Sequence, residues 1–151
     1  MEQQEERTVS FFRFEDLRVY AKATDYAAWV GSNLAGSPAA ESQKVLVASF
    51  CHSAFDIALN IAEGSSRSKS RFDHYLKIAK TAIRECVVYT EVAHTQNVFN
   101  EEQYERSREF LMELTRMLGA LIISLQRSAE RGSRREEEEP TDTYSNEEMS
   151  Y

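Results

Sequence analysis

The chain has 151 residues, 42% of them hydrophobic, with 5 Gly, 2 Pro, 2 Cys and a formal net charge of −7. That length suits one domain with a modest core, and scarce Gly and Pro beside abundant Ala, Leu, Glu, Lys and Arg favour helices. The acidic balance argues against a generic polyanion binder, two cysteines are too few for a disulfide framework and favour a reducing cytoplasm, and neither a signal peptide nor a run of roughly 18 apolar residues that would reach a membrane is read in the chain.

The charge is unevenly placed. Residues 1–130 carry 15 basic and 18 acidic side chains, whereas 131–151 carry 3 and 7. The segment 131–151, RGSRREEEEPTDTYSNEEMSY, has no Leu, Ile, Val or Phe to bury and is expected to be a disordered acidic tail. Residues 1–12 read as a flexible polar segment, which leaves 13–130 as the folded unit. Within it, residues 64–84 hold Arg67, Lys69, Arg71, Lys77, Lys80 and Arg84 against Asp73 alone. This stretch is the first candidate surface for nucleic acid or an acidic partner; the alternative is a solvated helix face balanced by acids on its neighbours.

The first predicted helix runs from Phe14 to Ala35, with Glu15 and Asp16 in its first turn and Gly36 placed to end it. Positions 17, 20, 24, 27, 31 and 34 form a heptad-like seam. Val19, Tyr26, Trp29 and Val30 form a second apolar set, the candidate oligomer interface, because a helix with two apolar faces needs two partners. The second helix is expected to start at Ser37 as N-cap with Pro38 at the first helical position, and to run to Gly64. After the Gly64-Ser65-Ser66 turn, Ser70 and Asp73 resemble a capping box for the third helix, which fades near Asn97. Asn100 caps the fourth, with Gln103 three residues on and a stripe from Tyr104 through Leu111, Leu114, Leu118, Leu121 and Leu125. No segment alternates as a strand does. The fold class that follows is all-α, an antiparallel up-down four-helix bundle.

Catalytic and metal signatures are missing from this pattern. Gly64-Ser65-Ser66-Arg67 lacks the second Gly and the Lys of a phosphate-binding loop. Cys51 and Cys86 fall roughly 7 Å out of axial register at 1.5 Å per residue, so both read as small buried hydrophobes. Glu91 and His94 give one Glu-x-x-His pair where a di-iron bundle needs two. No cofactor or metal is expected, and the chain is expected not to be an enzyme. One segment is unusual: Asn60-Ile61-Ala62-Glu63-Gly64 sets polar groups beside core residues at a helix end. Buried polar groups are costly unless bonded, so Asn60, Glu63 and Arg67 read as a polar clasp on the helix hairpin, with a ligand contact as the alternative.

At this segment the chain resembles the four-helix-bundle family of proteins encoded in intervening sequences of bacterial 23S rRNA genes, a fold shared with the accessory variability protein of diversity-generating retroelements. The family's opening F-x-x-L-x-V-W/Y is similar to Phe14-Glu15-Asp16-Leu17-Arg18-Val19-Tyr20, and its core signature S-I-x-x-N-I-A-E-G-x-x-R-x-S to residues 56–70, with Asp56 in place of the small polar residue and Ser shifted by one. A third motif matches Phe72 to Glu85, with Lys80-Thr81 where the family often has Gly-Ser. The structural signature is then Asn60, Glu63, Gly64, Arg67, Thr81 and Glu85. Cys51-His52 stand where the family often carries an Arg-Arg pair, which removes two positive charges. The resemblance implies a homopentameric ring, a cytoplasmic scaffold, and in the retroelement branch an RNA- or DNA-binding accessory that docks on a reverse transcriptase.

Overall fold

The computed structural model describes residues 11–35 and 41–138, with side chains described through Arg135. Gly36, Ser37 and Pro38, read above as helix punctuation, lie outside the described residues, as do positions 1–10 and 139–151. A one-turn 3-10 helix, Arg13–Asp16, precedes α1, Arg18–Ala35; a second, Glu41–Gln43, precedes α2, Lys44–Ser65; then come α3, Lys69–Thr95, and α4, Glu101–Glu138. There is no strand among the described residues.

Each boundary has a local cause. α1 begins at Arg18 rather than Phe14 because Leu17 is extended (φ −76°, ψ 122°). That kink lets the Phe14 ring meet Tyr20 edge-on, with centroids 5.0 Å apart. Glu15 and Asp16 therefore belong to the separate turn, not to the first turn of α1. The Ser70–Asp73 capping box does not form. Ser68 occupies the N-cap of α3 without a side-chain capping bond, its hydroxyl bonds that of Ser70 at 3.4 Å, and Asp73 turns to Lys77 at 2.9 Å.

α3 ends in a Schellman motif. Asn97 adopts the left-handed region (φ 58°), the Val98 N–H donates to the Ala93 carbonyl at 2.8 Å, and the Asn97 N–H donates to that of His94 at 3.1 Å. α4 opens with the reciprocal cap expected of Asn100 and Gln103. The Asn100 N–H donates to the Gln103 Oε1 at 2.9 Å, and the Gln103 N–H donates to the Asn100 Oδ1 at 2.8 Å. α4 then continues to Glu138, eight residues into the segment expected to be disordered. Arg and Glu are good helix formers, so the helix continues through Arg134 and Arg135, both exposed, to Glu138. Pro140 lies two positions past its last residue.

Cross-helix contacts set the directions. Gly64 faces Tyr75 while Ser53 bonds Glu85, so α2 and α3 are antiparallel. Lys69 reaches Ser128 while His94 reaches Glu101, so α3 and α4 are too. Lys22 pairs with Glu113 at 2.8 Å and Gln103 donates to Asn33 at 3.1 Å, which closes α4 against α1. The helices stand at the corners of a square in which α1–α2 and α3–α4 are opposite sides.

Tyr26, Phe50, Ile57, Ile61, Leu76, Phe99, Leu111, Leu114 and Leu118 fill the centre, each contributing about 1.5–3 kcal/mol of apolar burial. Residues 41–65 are, by length and composition, long and apolar enough to cross a membrane, which the sequence reading did not expect. Here Phe50, Ala54, Ile57 and Ile61 bury one side of α2 in the bundle, while Phe55 and Leu59 stay half or more exposed on another.

Candidate functional site

The α2–α3 turn carries most of the signature residues, and its geometry is that of a fastened hairpin. A Cβ on Gly64 would lie 2.6 Å from Tyr75 Cβ and 2.9 Å from Phe72 Cδ2, so only glycine lets the two helices approach this closely. Arg67 donates to the Glu63 carboxylate, a contact that pushes the guanidinium still further up, and it sits over the Tyr75 ring at 5.9 Å. Glu63 and Arg67 thus form the expected clasp, but Asn60 does not join it. Its amide donates to the Asp56 carbonyl one turn back, at 2.8 Å. Further along, the Ser53 hydroxyl donates to Glu85 at 2.7 Å, tying α2 to α3, and Thr81 donates to the Lys77 carbonyl at 3.3 Å. Gly64, the Glu63–Arg67 clasp and the Ser53–Glu85 bond hold the hairpin together, whereas the bonds of Asn60 and Thr81 stay within their own helices.

The basic stretch resolves into a row and two outliers. Lys77, Lys80 and Arg84 follow at spacings of three and four, on one side of α3, and Lys69 continues the row to α4 by donating to the Ser128 hydroxyl. At about 100° per residue, Arg71 falls roughly 120° or more around the helix from this row. Arg67 is engaged at the turn. Lys77 is paired with Asp73, whereas Lys80 and Arg84 make no ion pair among the described residues.

α4 adds Arg108 and Arg116, which border a shallow depression with Val87, Leu111, Met112 and Thr115. Of its lining, Val87 is 37% and Met112 46% exposed. These arginines escape a reading of the sequence because acids lie between them along the chain. Only the α3–α4 packing sets them beside Val87, one turn along α3 from Arg84. The result is one face, basic and apolar together.

On the opposite side, a groove between α1 and α2 is lined by Tyr20, Thr24, Ala28, Phe55, Ala58 and Leu59, with Phe14 and Ala62 at its end. Phe55 is 50% and Leu59 61% exposed. The candidate oligomer interface read from the sequence is not here. Val19, Tyr26 and Val30 are buried in the chain's own core. Trp29 stacks on Tyr26 at 6.2 Å and meets Phe99 edge-on at 5.5 Å. The bulky set fills the bundle because it supplies the volume. Of the smaller seam, Tyr20, Thr24 and Ala27 line the groove instead.

The remaining chemical groups are occupied locally. Cys86 is buried, and burial pushes its thiol far up; Cys51 is half-buried and also raised. Glu91 accepts from the Tyr104 hydroxyl at 2.9 Å. His94 stacks on Tyr104 at 4.2 Å and meets Glu101 at 2.8 Å, so both residues brace the α3–α4 hairpin. Among the described residues no three His, Cys, Asp or Glu side chains stand where they would hold a metal ion.

An all-helical four-helix bundle is the fold the resemblance implies, with the N-I-A-E-G segment at the end of α2. The family model described as 23S rRNA-intervening sequence protein matches residues 15–120. The chain belongs to this family. The match begins in the turn before α1 and ends within α4, so it spans the groove, the hairpin and most of the basic face. No curated protein matches the chain.

Proposed function

We propose that this 23S rRNA-intervening sequence protein is a non-enzymatic, cytoplasmic homo-oligomer, pentameric as its resemblance implies, that acts as a binding scaffold. The observation that carries the reading is the uncovered apolar surface of the α1–α2 groove, where Phe55 and Leu59 are half or more exposed. Contiguous exposed apolar surface of this kind marks a contact site. The test is light scattering after gel filtration at micromolar concentration, where a mass several times 17.4 kDa is expected. A monomer sinks the reading.

The second reading is a nucleic-acid-binding accessory of a reverse transcriptase, as in the retroelement branch. It is favoured by the row of Lys69, Lys77, Lys80 and Arg84 running beside Arg108 and Arg116. Repetition of this row around an oligomer would raise avidity without any new contact. A mobility shift with RNA or single-stranded DNA should weaken steeply with salt. Binding that survives reversal of Lys80, Arg84 and Arg116 to Glu rules it out. A reverse transcriptase that fails to bind the purified oligomer removes the partner but leaves the nucleic-acid contact standing.

A further inference from the structure

We infer that the α1–α2 groove of one copy takes up the aromatic arm Phe11-Phe12 of another. This rests on the homo-oligomer reading and names the two surfaces that meet. Phe11 is 92% exposed, the barest of the large apolar side chains among the described residues. Phe12, more than half exposed, meets it edge-on with centroids 5.1 Å apart. Aromatic rings carry some of the largest apolar surfaces a side chain can bury, and here two stand together in water. The 3-10 turn fixes where the arm begins, because the Glu15 N–H donates to the Phe12 carbonyl at 3.0 Å. The arm cannot fill the groove of its own chain. Phe14, held on Tyr20 at 5.0 Å, closes the near end together with Ala62. From Ala62 to Phe55 at the far end is about 10.5 Å along α2 at about 1.5 Å per residue. Phe11 is one Cα step, about 3.8 Å, from the turn.

The walls of the groove suit such an occupant. No charged residue lines it; Asp56 is turned to His52 at 3.4 Å and Glu63 to Arg67. Its walls carry two hydroxyls, of Tyr20 and Thr24, and that of Thr24 is committed to the Ala21 carbonyl at 2.9 Å. A charged group would be buried there without a counter-charge, which is costly. A phenyl ring needs none, and the Phe55 and Tyr20 rings offer it faces and edges. The volume, about 580 Å³, lies within the range of about 300–1,000 Å³ of clefts that enclose compact apolar groups. Arm and groove are different surfaces, so each copy gives one arm and takes one. The contact is head-to-tail and closes a ring where the rotation between neighbours allows.

The experiment uses the full chain. Phe11→Ser with Phe12→Ser removes the arm, and Leu59→Asp charges the groove. All three positions are exposed, and retained helical circular dichroism shows that the variants fold. Each variant alone is expected to lose the wild-type oligomer in light scattering. An equimolar mixture is expected to give a 1:1 heterodimer, because the armless copy keeps a good groove and the Leu59→Asp copy keeps a good arm. In an otherwise wild-type chain, Phe11 replaced by photoreactive benzoylphenylalanine is expected to join two chains covalently, with the cross-link at Thr24, Ala28 or Phe55. An armless variant that stays oligomeric, or a mixture that stays monomeric, overturns the inference while the homo-oligomer reading stands. So does a cross-link within one chain, outside the groove, or to a different protein. A monomeric wild type removes both. If Leu59→Asp fails to fold, the armless variant and the cross-link decide.

Discussion

The phenol of Tyr26 on α1 lies 2.8 Å from the hydroxyl of Ser107 on α4, at the fully buried centre of the bundle. Ser107 lies 2.7 Å from the hydroxyl of Thr90 on α3, and Thr90 donates to the Cys86 carbonyl at 2.7 Å. A hydroxyl has one proton to give, so the last bond fixes the others: Ser107 donates to Thr90 and Tyr26 donates to Ser107. Three helices are thus tied by one directed chain. Ser107→Ala strands the Tyr26 donor in the core and is expected to destabilise by about 1–3 kcal/mol. Tyr26→Phe leaves Ser107 and Thr90 bonded to each other and should cost less. Urea unfolding of the two variants tests the order; equal or reversed costs would remove the directed chain.

The same relationship fixes an alkaline limb of stability. Burial pushes the Tyr26 hydroxyl well above its ordinary range, while in the unfolded chain it titrates near pH 10. A group whose folded value is raised stabilises the fold below its unfolded pKa and loses that contribution as pH rises. Above about pH 10 the unfolded chain releases a proton that the native state keeps. Stability should therefore fall from about pH 10 upward and keep falling while the native phenol holds its proton, and Tyr26→Phe should flatten part of that fall. Denaturant midpoints across this range, compared between wild type and variant, decide it.

Gly64 and Gly119 should respond to alanine with opposite signs. Both lie in helices, where Gly→Ala gains about 0.5–1 kcal/mol if space allows. At Gly119 a Cβ meets nothing within 4 Å, so Gly119→Ala should raise the melting temperature. At Gly64 the Cβ would collide with Tyr75 and Phe72. Forcing extra volume into packed contacts costs about 1–3 kcal/mol. Gly64→Ala should therefore lower the melting temperature, and a neutral result would mean that the α2–α3 hairpin yields more easily than its geometry indicates.

Local signals carried the fold, and long-range ones did not. The reciprocal cap of Asn100 and Gln103 was legible because its partners lie three residues apart. The helical stripes of α3 and α4 were legible from spacing alone. On α1 the two stripes are both apolar at helical spacing, and only volume distinguishes Tyr26, Trp29 and Val30 from Thr24 and Gly31. The larger set filled the core. Thr90 and Ser107 carried no signal, since a small hydroxyl reads alike on a surface and in a core. The basic face was half legible: Lys77, Lys80 and Arg84 share a short stretch of one helix, whereas Arg108 and Arg116 join them only through packing.

The cap at the start of α4 gives a bounded cost. Asn100→Ala removes the acceptor for the Gln103 N–H and should destabilise by about 1 kcal/mol. The Gln103 side chain returns a bond to the Asn100 N–H and donates to Asn33 on α1. Gln103→Ala should therefore cost at least as much as Asn100→Ala, and the double variant less than the sum, because the two caps depend on one another. Additive losses in chemical denaturation would show that the bonds act separately.

The acidic C-terminal segment gives the last prediction. Residues 139–151 hold Glu139, Asp142, Glu147 and Glu148 and no base, so each copy carries −4 there, following a helix whose own end at Glu138 is far along from the basic row. The row on α3 and α4 keeps Lys80, Arg84 and Arg116 without ion pairs among the described residues. Acids tethered to the same molecule lower the local attraction for any polyanion, and in an oligomer their number multiplies with the copies. Truncation after Glu138 should make the protein elute from a heparin column at higher salt than the full chain. The difference should shrink as ionic strength rises, because the screening length falls from about 10 Å at 0.1 M to about 3 Å at 1 M. Reversing Lys80, Arg84 and Arg116 to Glu should abolish the gain. If truncation changes nothing at low salt, the segment does not act on the basic face, and net charge alone accounts for its composition.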